Sequence, residues 1–183
     1  MNTRFHFALL SDSLDKVVVV DTEAESLFNI YTLDYESKQL IPYATDGRWV
    51  HDQENIYGAN LDGKIKSHPT KDTYYYASRY DGWLYGGTFD GEELFLRNTI
   101  DNLQLTTTQL GDKAPGGGHY FETPRTVLSD FLGVWDDKIY ISATFETPEA
   151  YMNPYILEAY IDVYSAINGD YIESFEYNPF SLC

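Results

Sequence analysis

The chain has almost no cysteine: Cys183 is the only one and stands at the last position, so an internal disulfide is excluded. It also has no Asn-x-Ser/Thr sequon. The longest apolar run near the start covers residues 5–10 and contains His6, which makes it too short for a membrane span or a signal-peptide core. The sequence therefore predicts no membrane span and no export signal.

Basic residues are also scarce. Only 12 Lys and Arg stand against 29 Asp and Glu, which gives a formal net charge of −17. Nucleic-acid affinity depends on Lys and Arg that neutralise phosphates, so this balance argues against a nucleic-acid partner. Because the acids are scattered along the chain, we interpret the excess as a source of solubility, with cation binding as the alternative.

Aromatic residues, in contrast, are abundant, with 17 Tyr, 10 Phe and 3 Trp, and this composition favours strands. A strand pattern recurs three times, with about 60 residues between copies. Each copy opens with a charged turn and a β-branched or aromatic run, and two further strands follow. The three opening turns are Asp15-Lys16, Lys71-Asp72 and Asp137-Lys138.

The recurrence predicts an all-β, β-propeller-like fold of about three four-stranded antiparallel blades, packed face to face. We expect one partial propeller domain over residues 1–183, with approximate blades 1–65, 66–125 and 126–183. Residues 111–125 are predicted to be irregular, because three successive glycines and flanking prolines disfavour a central strand.

One aromatic series has two interpretations. The rings could form a stacking platform for sugar or peptide, with Arg79 nearby for hydrogen bonds. They could instead pack between neighbouring sheets, and this second interpretation is the one we favour. The series consists of Tyr74, Tyr76, Tyr80, Trp83, Tyr85 and Phe89.

Catalytic signatures are missing from the sequence. Gly116-Gly117-Gly118-His119 lacks the following helix and Lys-Ser/Thr pair of a phosphate-binding loop. No two of the four histidines stand in an HxH or HExxH spacing, and no G-x-S-x-G motif occurs. We therefore predict no catalytic residue, no metal site and no cofactor. The candidate ligand-binding residues are Arg79, Tyr80, Trp83, His119 and Arg125.

Two segments resemble blades of the TolB-like six-bladed β-propeller proteins of Bacteroidetes and related bacteria. The first is residues 67–85, which contain His68-Pro69-Thr70-Lys71-Asp72 and end in Gly82-Trp83-Leu84-Tyr85. The second is residues 133–141, continued by residues 161–171 with their Ile-Asp-Val-Tyr run and Asn-Gly-Asp turn. The resemblance implies a six-bladed ring and an exported protein, in the periplasm or on the cell surface.

The sequence contains about three blades, whereas ring closure takes four or more. We therefore expect the C-terminal half of a longer protein, with a homodimer closed through its end blades as the alternative. The expected function is a non-enzymatic binding scaffold for a protein, peptide or glycan partner. The alternative is a carbohydrate-acting hydrolase or lyase whose site is built across blades.

Overall fold

The computed structural model describes residues 7–11, 15–21, 26–46, 63–78, 82–99, 110–113, 119–121, 130–145 and 158–177. Strands are the only regular elements within these ranges, so the all-β prediction is confirmed for the described part of the chain. In chain order the strands are β1 (Phe7–Leu10), β2 (Lys16–Val20), β3 (Phe28–Asp34), β4 (Gln39–Asp46), β5 (Gly63–Ser67), β6 (Thr73–Ser78), β7 (Trp83–Thr88), β8 (Glu93–Asn98), β9 (Leu110–Lys113), β10 (His119–Phe121), β11 (Asp130–Trp135), β12 (Lys138–Phe145), β13 (Glu158–Ser165) and β14 (Tyr171–Tyr177).

Twelve of these strands form three four-stranded sheets in which each strand pairs antiparallel with the next one in the chain. We call them the N-terminal sheet (β1–β4), the middle sheet (β5–β8) and the C-terminal sheet (β11–β14). The threefold recurrence is thus confirmed, and each charged turn precedes or overlaps the start of the second strand of its sheet.

The remaining two strands, β9 and β10, pair antiparallel in a ribbon of their own. Both overlap the segment 111–125, so the prediction that this segment is irregular is wrong in part. Residues 116–118, which carry the three glycines, fall between the two strands in the chain and lie outside the described residues. The glycines misled the prediction because they interrupt neither strand.

The middle sheet has a neighbouring sheet on each face. Along β6, Tyr74 and Tyr76 belong to the core shared with the N-terminal sheet, whereas Tyr75 and Ala77 belong to the core shared with the C-terminal sheet. Successive side chains of a strand point to opposite faces, so a strand with apolar residues at every position is the one expected between two layers. The predicted face-to-face packing is therefore confirmed for these three sheets.

The first core, between the N-terminal and middle sheets, is built mainly from aromatic rings. The Phe28 ring stacks on Tyr85 with a centroid separation of 4.7 Å, and it meets Tyr74 and Tyr76 edge-on at 5.5 and 5.3 Å. Such pairs contribute about 0.5–1.5 kcal/mol each beyond the burial of their area. The sequence-based interpretation of this series as packing is confirmed for its members Tyr74, Tyr76, Trp83, Tyr85 and Phe89, all of which are buried.

The second core, between the middle and C-terminal sheets, contains smaller side chains. Ala77 and Leu84 face Ile139, Ile141 and other apolar residues of the C-terminal sheet. One buried polar link crosses it, because the Tyr75 hydroxyl donates a hydrogen bond to the backbone oxygen of Ala166 at 3.0 Å.

Turns of one sheet also pack against strands of the sheet before it. Gly91, between β7 and β8, lies against Ala44 of β4, and a Cβ built on Gly91 would stand 2.9 Å from that methyl group. Gly169, between β13 and β14, lies against Phe95 of β8, and a Cβ there would stand 2.5 Å from its ring. Both glycines have positive φ, at 89° and 73°, a conformation that glycine adopts without steric cost.

The first strands of the sheets also meet, since β5 contacts both β1 and β11. The turns between first and second strands therefore lie near one another at one end of the three sheets. This juxtaposition positions the site described next.

Candidate functional site

The first component of the site is the connection between β5 and β6. The His68 backbone N–H donates to the Thr73 carbonyl at 2.9 Å, so residues 68–73 form a closed loop at the end of this hairpin. Pro69 follows His68 and has a fixed φ, which suits a turn. The loop buries the His68 side chain, which is only 4% exposed, and leaves the Lys71 side chain half-exposed.

The second component is the two-residue turn between β11 and β12. Trp135 pairs with Lys138 across the hairpin, and the two central residues, Asp136 and Asp137, have φ values of 49° and 55°. A turn with positive φ at both central positions matches the right-handed twist of a hairpin, and Asp tolerates that conformation better than most residues. The turn directs the Asp137 carboxylate toward the middle sheet.

Asp137 links the two components through a three-residue network. Its Oδ1 accepts a hydrogen bond from Lys71 Nζ and lies 3.0 Å from His68 Nε2. The Thr70 backbone N–H donates to His68 Nδ1 at 3.1 Å. Because Nδ1 accepts this bond, we assign the ring N–H to Nε2, which then donates a hydrogen bond to Asp137.

The network shifts the protonation of its charged members. The hydrogen bond from Lys71 is the main reason that the pKa of Asp137 lies below its usual value, and the bond from His68 acts in the same direction. Conversely, the hydrogen bond with Asp137 raises the pKa of Lys71. Both groups are thus held in their charged forms and neutralise each other.

A cleft of about 570 Å³ lies between the two components. It is lined by residues 68–71 of the middle sheet and 135–137 of the C-terminal sheet. Trp135 stands in it with 70% of its surface exposed, the largest fraction among the exposed large hydrophobic residues that the structure describes. A smaller hollow of about 190 Å³ continues on the other side of the β5–β6 connection and is lined by Ser11, Asp72 and Phe89 among others.

The arrangement places an exposed indole beside a histidine whose two ring nitrogens are both engaged by protein groups. Both ring nitrogens of His68 are engaged, one by Thr70 and one by Asp137, so the ring has no nitrogen left to act as a general base. Within the described residues, no group of three or more His, Cys, Asp or Glu side chains is placed to hold a metal ion. An exposed indole beside charged and polar groups is, in contrast, a common feature of ligand sites.

The five candidate residues from the sequence lie elsewhere or outside the description. Trp83 is 7% exposed, and its ring stands 5.0 Å from that of Tyr76 in the first core. His119 lies in β10, and its side chain is not described. Arg79, Tyr80 and Arg125 lie outside the described residues.

Sequence reasoning missed the residues that form the cleft, above all Trp135, His68, Lys71 and Asp137. One sequence signal could have indicated that Trp135 lies at an exposed rim. Trp135 is followed by two acids and then a strand that opens with Lys138, a spacing that predicts a tight hairpin with the tryptophan at its rim. The contact between Lys71 and Asp137 joins different sheets and had no such local signal.

Comparison with known proteins gives no assignment: no protein-family model matches the chain, and no curated protein is significantly similar to it. The described part of the chain contains no helix with the length and hydropathy needed to cross a membrane.

Proposed function

We propose that this chain is a non-enzymatic β-propeller binding scaffold for a protein or peptide partner, or for a glycan, and that it binds through the cleft around Trp135. The observation that carries the proposal is the exposed Trp135 indole, placed between two sheets beside a histidine whose nitrogens are both engaged. Large aromatic rings exposed in clefts are costly to hydrate and are enriched where partners bind.

The proposed architecture is part of a TolB-like six-bladed ring. Three features support it: the meander order within each sheet, the face-to-face packing, and the contacts of β5 with β1 and β11. In a propeller the first strands of the blades surround the central axis, so such contacts are those expected of neighbouring blades. Three blades are about half of such a ring, and we propose that the chain corresponds to the C-terminal half of a longer exported protein.

Binding is tested by screening immobilised peptides and oligosaccharides with the purified chain, and then with a Trp135→Ala variant. The variant should lose at least about tenfold in affinity for any ligand found, as expected for a central aromatic anchor. Ile167→Ala is the matched control, because Ile167 is 69% exposed but belongs to the β13–β14 turn and does not line the cleft. Equal binding by wild type and Trp135→Ala would overturn the proposal.

The same screen addresses the rival function. Turnover of an oligosaccharide that is abolished by a chelator or by His119→Ala would identify a carbohydrate-acting hydrolase or lyase instead. Retention of the intact oligosaccharide on the protein supports the scaffold.

Sedimentation at low and high salt tests the architecture. The outer faces of the first and last blades of an open array are association surfaces, so we expect the chain to form a homodimer that closes a six-bladed ring, or to aggregate slowly. Association should increase with salt, because salt screens the repulsion between copies that each carry a charge of −17. A stable monomer at both salt concentrations would contradict the proposed half-ring.

A further inference from the structure

We propose that the cleft recognises a cationic side chain, an Arg or Lys of a basic peptide segment, which is held between the Trp135 ring and the Asp136 carboxylate. This inference rests on the proposed binding function and specifies its ligand class. It follows from the charges that line the cleft, from a similar arrangement elsewhere in the molecule, and from the charge of the whole chain.

Three charged groups line the cleft, namely Lys71, Asp136 and Asp137. Two of them pair with each other, and the third pairs with neither. Lys71 and Asp137 form an ion pair, and Thr70 and Asp137 engage the two ring nitrogens of His68. Asp136 is exposed and makes no hydrogen bond or ion pair within the part of the chain that the structure describes. The cleft therefore has one uncompensated negative charge, next in sequence to its exposed indole.

The molecule already contains the proposed arrangement with its cation present. Lys16 Nζ lies 3.8 Å from the centroid of the Tyr43 ring and donates a hydrogen bond to Asp90. Tyr43 also donates to Asp90 at 3.2 Å, so ring and carboxylate together hold the ammonium group. Trp135 and Asp136 likewise bring an aromatic ring and a carboxylate to the lining of one cleft, and indole is the aromatic group that attracts cations most strongly.

The overall charge of −17 also favours a cationic ligand. It raises the encounter rate of a basic partner and repels acidic peptides and acidic glycans, whereas a neutral glycan is unaffected. An exposed indole also stacks on neutral sugars, and sugar hydroxyls donate hydrogen bonds to carboxylates. A neutral sugar, however, gains nothing from the negative charge of the cleft and of the chain, whereas a cation does. The observations therefore favour the cationic side chain.

The test uses the full chain labelled with ¹⁵N and follows its three tryptophan indole N–H signals during titration. The probes are the peptide Ac-Gly-Arg-Gly-Arg-Gly-NH₂, the same peptide with Glu in place of Arg, and the neutral oligosaccharide chitotetraose. The Trp135 signal is assigned with a Trp135→Phe variant. We expect the Arg peptide to shift this signal, the Glu peptide to leave it in place, and added salt to weaken the binding.

Two variants with the same change in net charge separate local from general attraction. Asp136→Asn should weaken binding of the Arg peptide about fivefold, the upper end of the loss expected for an ion pair at an exposed carboxylate. Glu176→Gln, at an exposed position of β14 away from the cleft, should weaken it less than about twofold. Equal losses in the two variants would overturn the cation site.

The remaining outcomes separate this inference from the proposed function. A shift of the Trp135 signal with chitotetraose but not with the Arg peptide would overturn the cationic ligand and leave the scaffold in place. Binding of any probe that is unchanged in Trp135→Ala would overturn both. Unfolding curves of each variant that match wild type ensure that a loss of binding reports on the site.

Discussion

The two junctions between the sheets differ in what fills them. The junction of the N-terminal and middle sheets contains six buried aromatic rings, whereas that of the middle and C-terminal sheets contains three and includes two alanines. The lysines at the two rims differ in the same sense, since the Lys16 side chain is 11% exposed and that of Lys71 is 48% exposed. Their carboxylate partners, Asp90 and Asp137, are both exposed, at 61% and 45%.

This difference accounts for the position of the cleft. Where large rings fill the space between sheets, the turns meet closely and the cation at the rim is buried against Tyr43. Where smaller side chains fill it, polar groups at the rim remain in contact with solvent, and a cleft lies between the turns. We therefore expect the first junction to contribute more to stability than the second, and the second to leave polar groups available for a ligand. The four predictions below test that division.

The largest expected effect is at the first junction. Trp83→Ala should lower the free energy of unfolding by about 3–5 kcal/mol, because it removes the large side chain of a residue that is only 7% exposed and packs against Tyr76. Ile141→Ala at the second junction should lower it by about 2–4 kcal/mol, as is usual for a buried aliphatic side chain. Urea unfolding monitored by circular dichroism measures both. A loss below about 1 kcal/mol for Trp83→Ala would show that the aromatic junction is not the stronger one.

The turns between third and fourth strands give the next comparison. Gly91 and Gly169 lie against the preceding sheet, and Lys38 has a similar positive φ of 55° in the corresponding turn of the N-terminal sheet. Lys38 is exposed, as is Tyr35 at 66% in the same turn. Glycine is therefore found where a neighbouring strand leaves no room for a Cβ, and lysine where the described part of the chain places no strand against the turn.

Substitutions at Gly169 and at Lys38 should change the free energy of unfolding in opposite directions. Gly169→Ala should destabilise by about 2–4 kcal/mol, since it combines a strained φ with a Cβ 2.5 Å from the Phe95 ring. Lys38→Gly should be stabilising by about 0.5–1 kcal/mol, because it relieves the positive φ without removing a packed group. The denaturant midpoints of the two variants test this prediction. Shifts of both midpoints in the same direction would show that packing does not explain why one turn has glycine and the other lysine.

The fold was largely predictable because it depends on local, repeated signals. The β-branched run Val17–Val20 and the aromatic run Tyr74–Tyr76 each follow a charged turn, and both lie in the second strand of their sheet. The expectation that neighbouring sheets bury their largest side chains also allowed the packing of Trp83 and Tyr85 to be predicted. The contacts of β5 with β1 and β11 join different sheets, so no single segment of the sequence could predict them. Nor could the sequence predict against which sheet each of the two runs would pack.

The residues of the candidate site were not predicted. An aromatic platform near polar residues was the less favoured interpretation of one series, and that series lies around Trp83, where tyrosines are dense. Density indicates burial as readily as exposure, and only packing distinguishes Trp83 in a core from Trp135 at a rim. The partners of Asp137 come from another sheet, at Lys71 and His68, so their juxtaposition required the tertiary structure.

A smaller effect on stability is expected from substitution of Asp162, which lies in the C-terminal sheet. It is buried in β13, with a hydrogen bond donated by Ser174 at 2.5 Å, and burial raises its pKa above the usual value of 3.8. An acid with a raised folded-state pKa favours the folded state below pH 3.8 and loses that contribution as pH rises through its folded pKa. Asp162→Asn should therefore raise the melting temperature at pH 7 by about 2–4 °C. The gain should fade toward pH 4, and a gain that is constant with pH would contradict the assignment.

The smallest effects concern the two exposed carboxylates at the rims of the junctions. Hydrogen bonds from Lys16 and Tyr43 lower the pKa of Asp90, and those from Lys71 and His68 lower that of Asp137. A lowered folded-state pKa stabilises the fold above pH 3.8 and ceases to do so as pH falls through the folded pKa. The melting temperatures of Asp90→Asn and Asp137→Asn should therefore lie below that of wild type at pH 7 and converge with it at acid pH. Asp90→Asn should have the larger effect, because it leaves the more buried cation, Lys16, without its carboxylate partner. Melting curves from pH 2 to pH 7 at low and high salt measure both variants, and a larger loss for Asp137→Asn would reverse the division of roles between the two junctions.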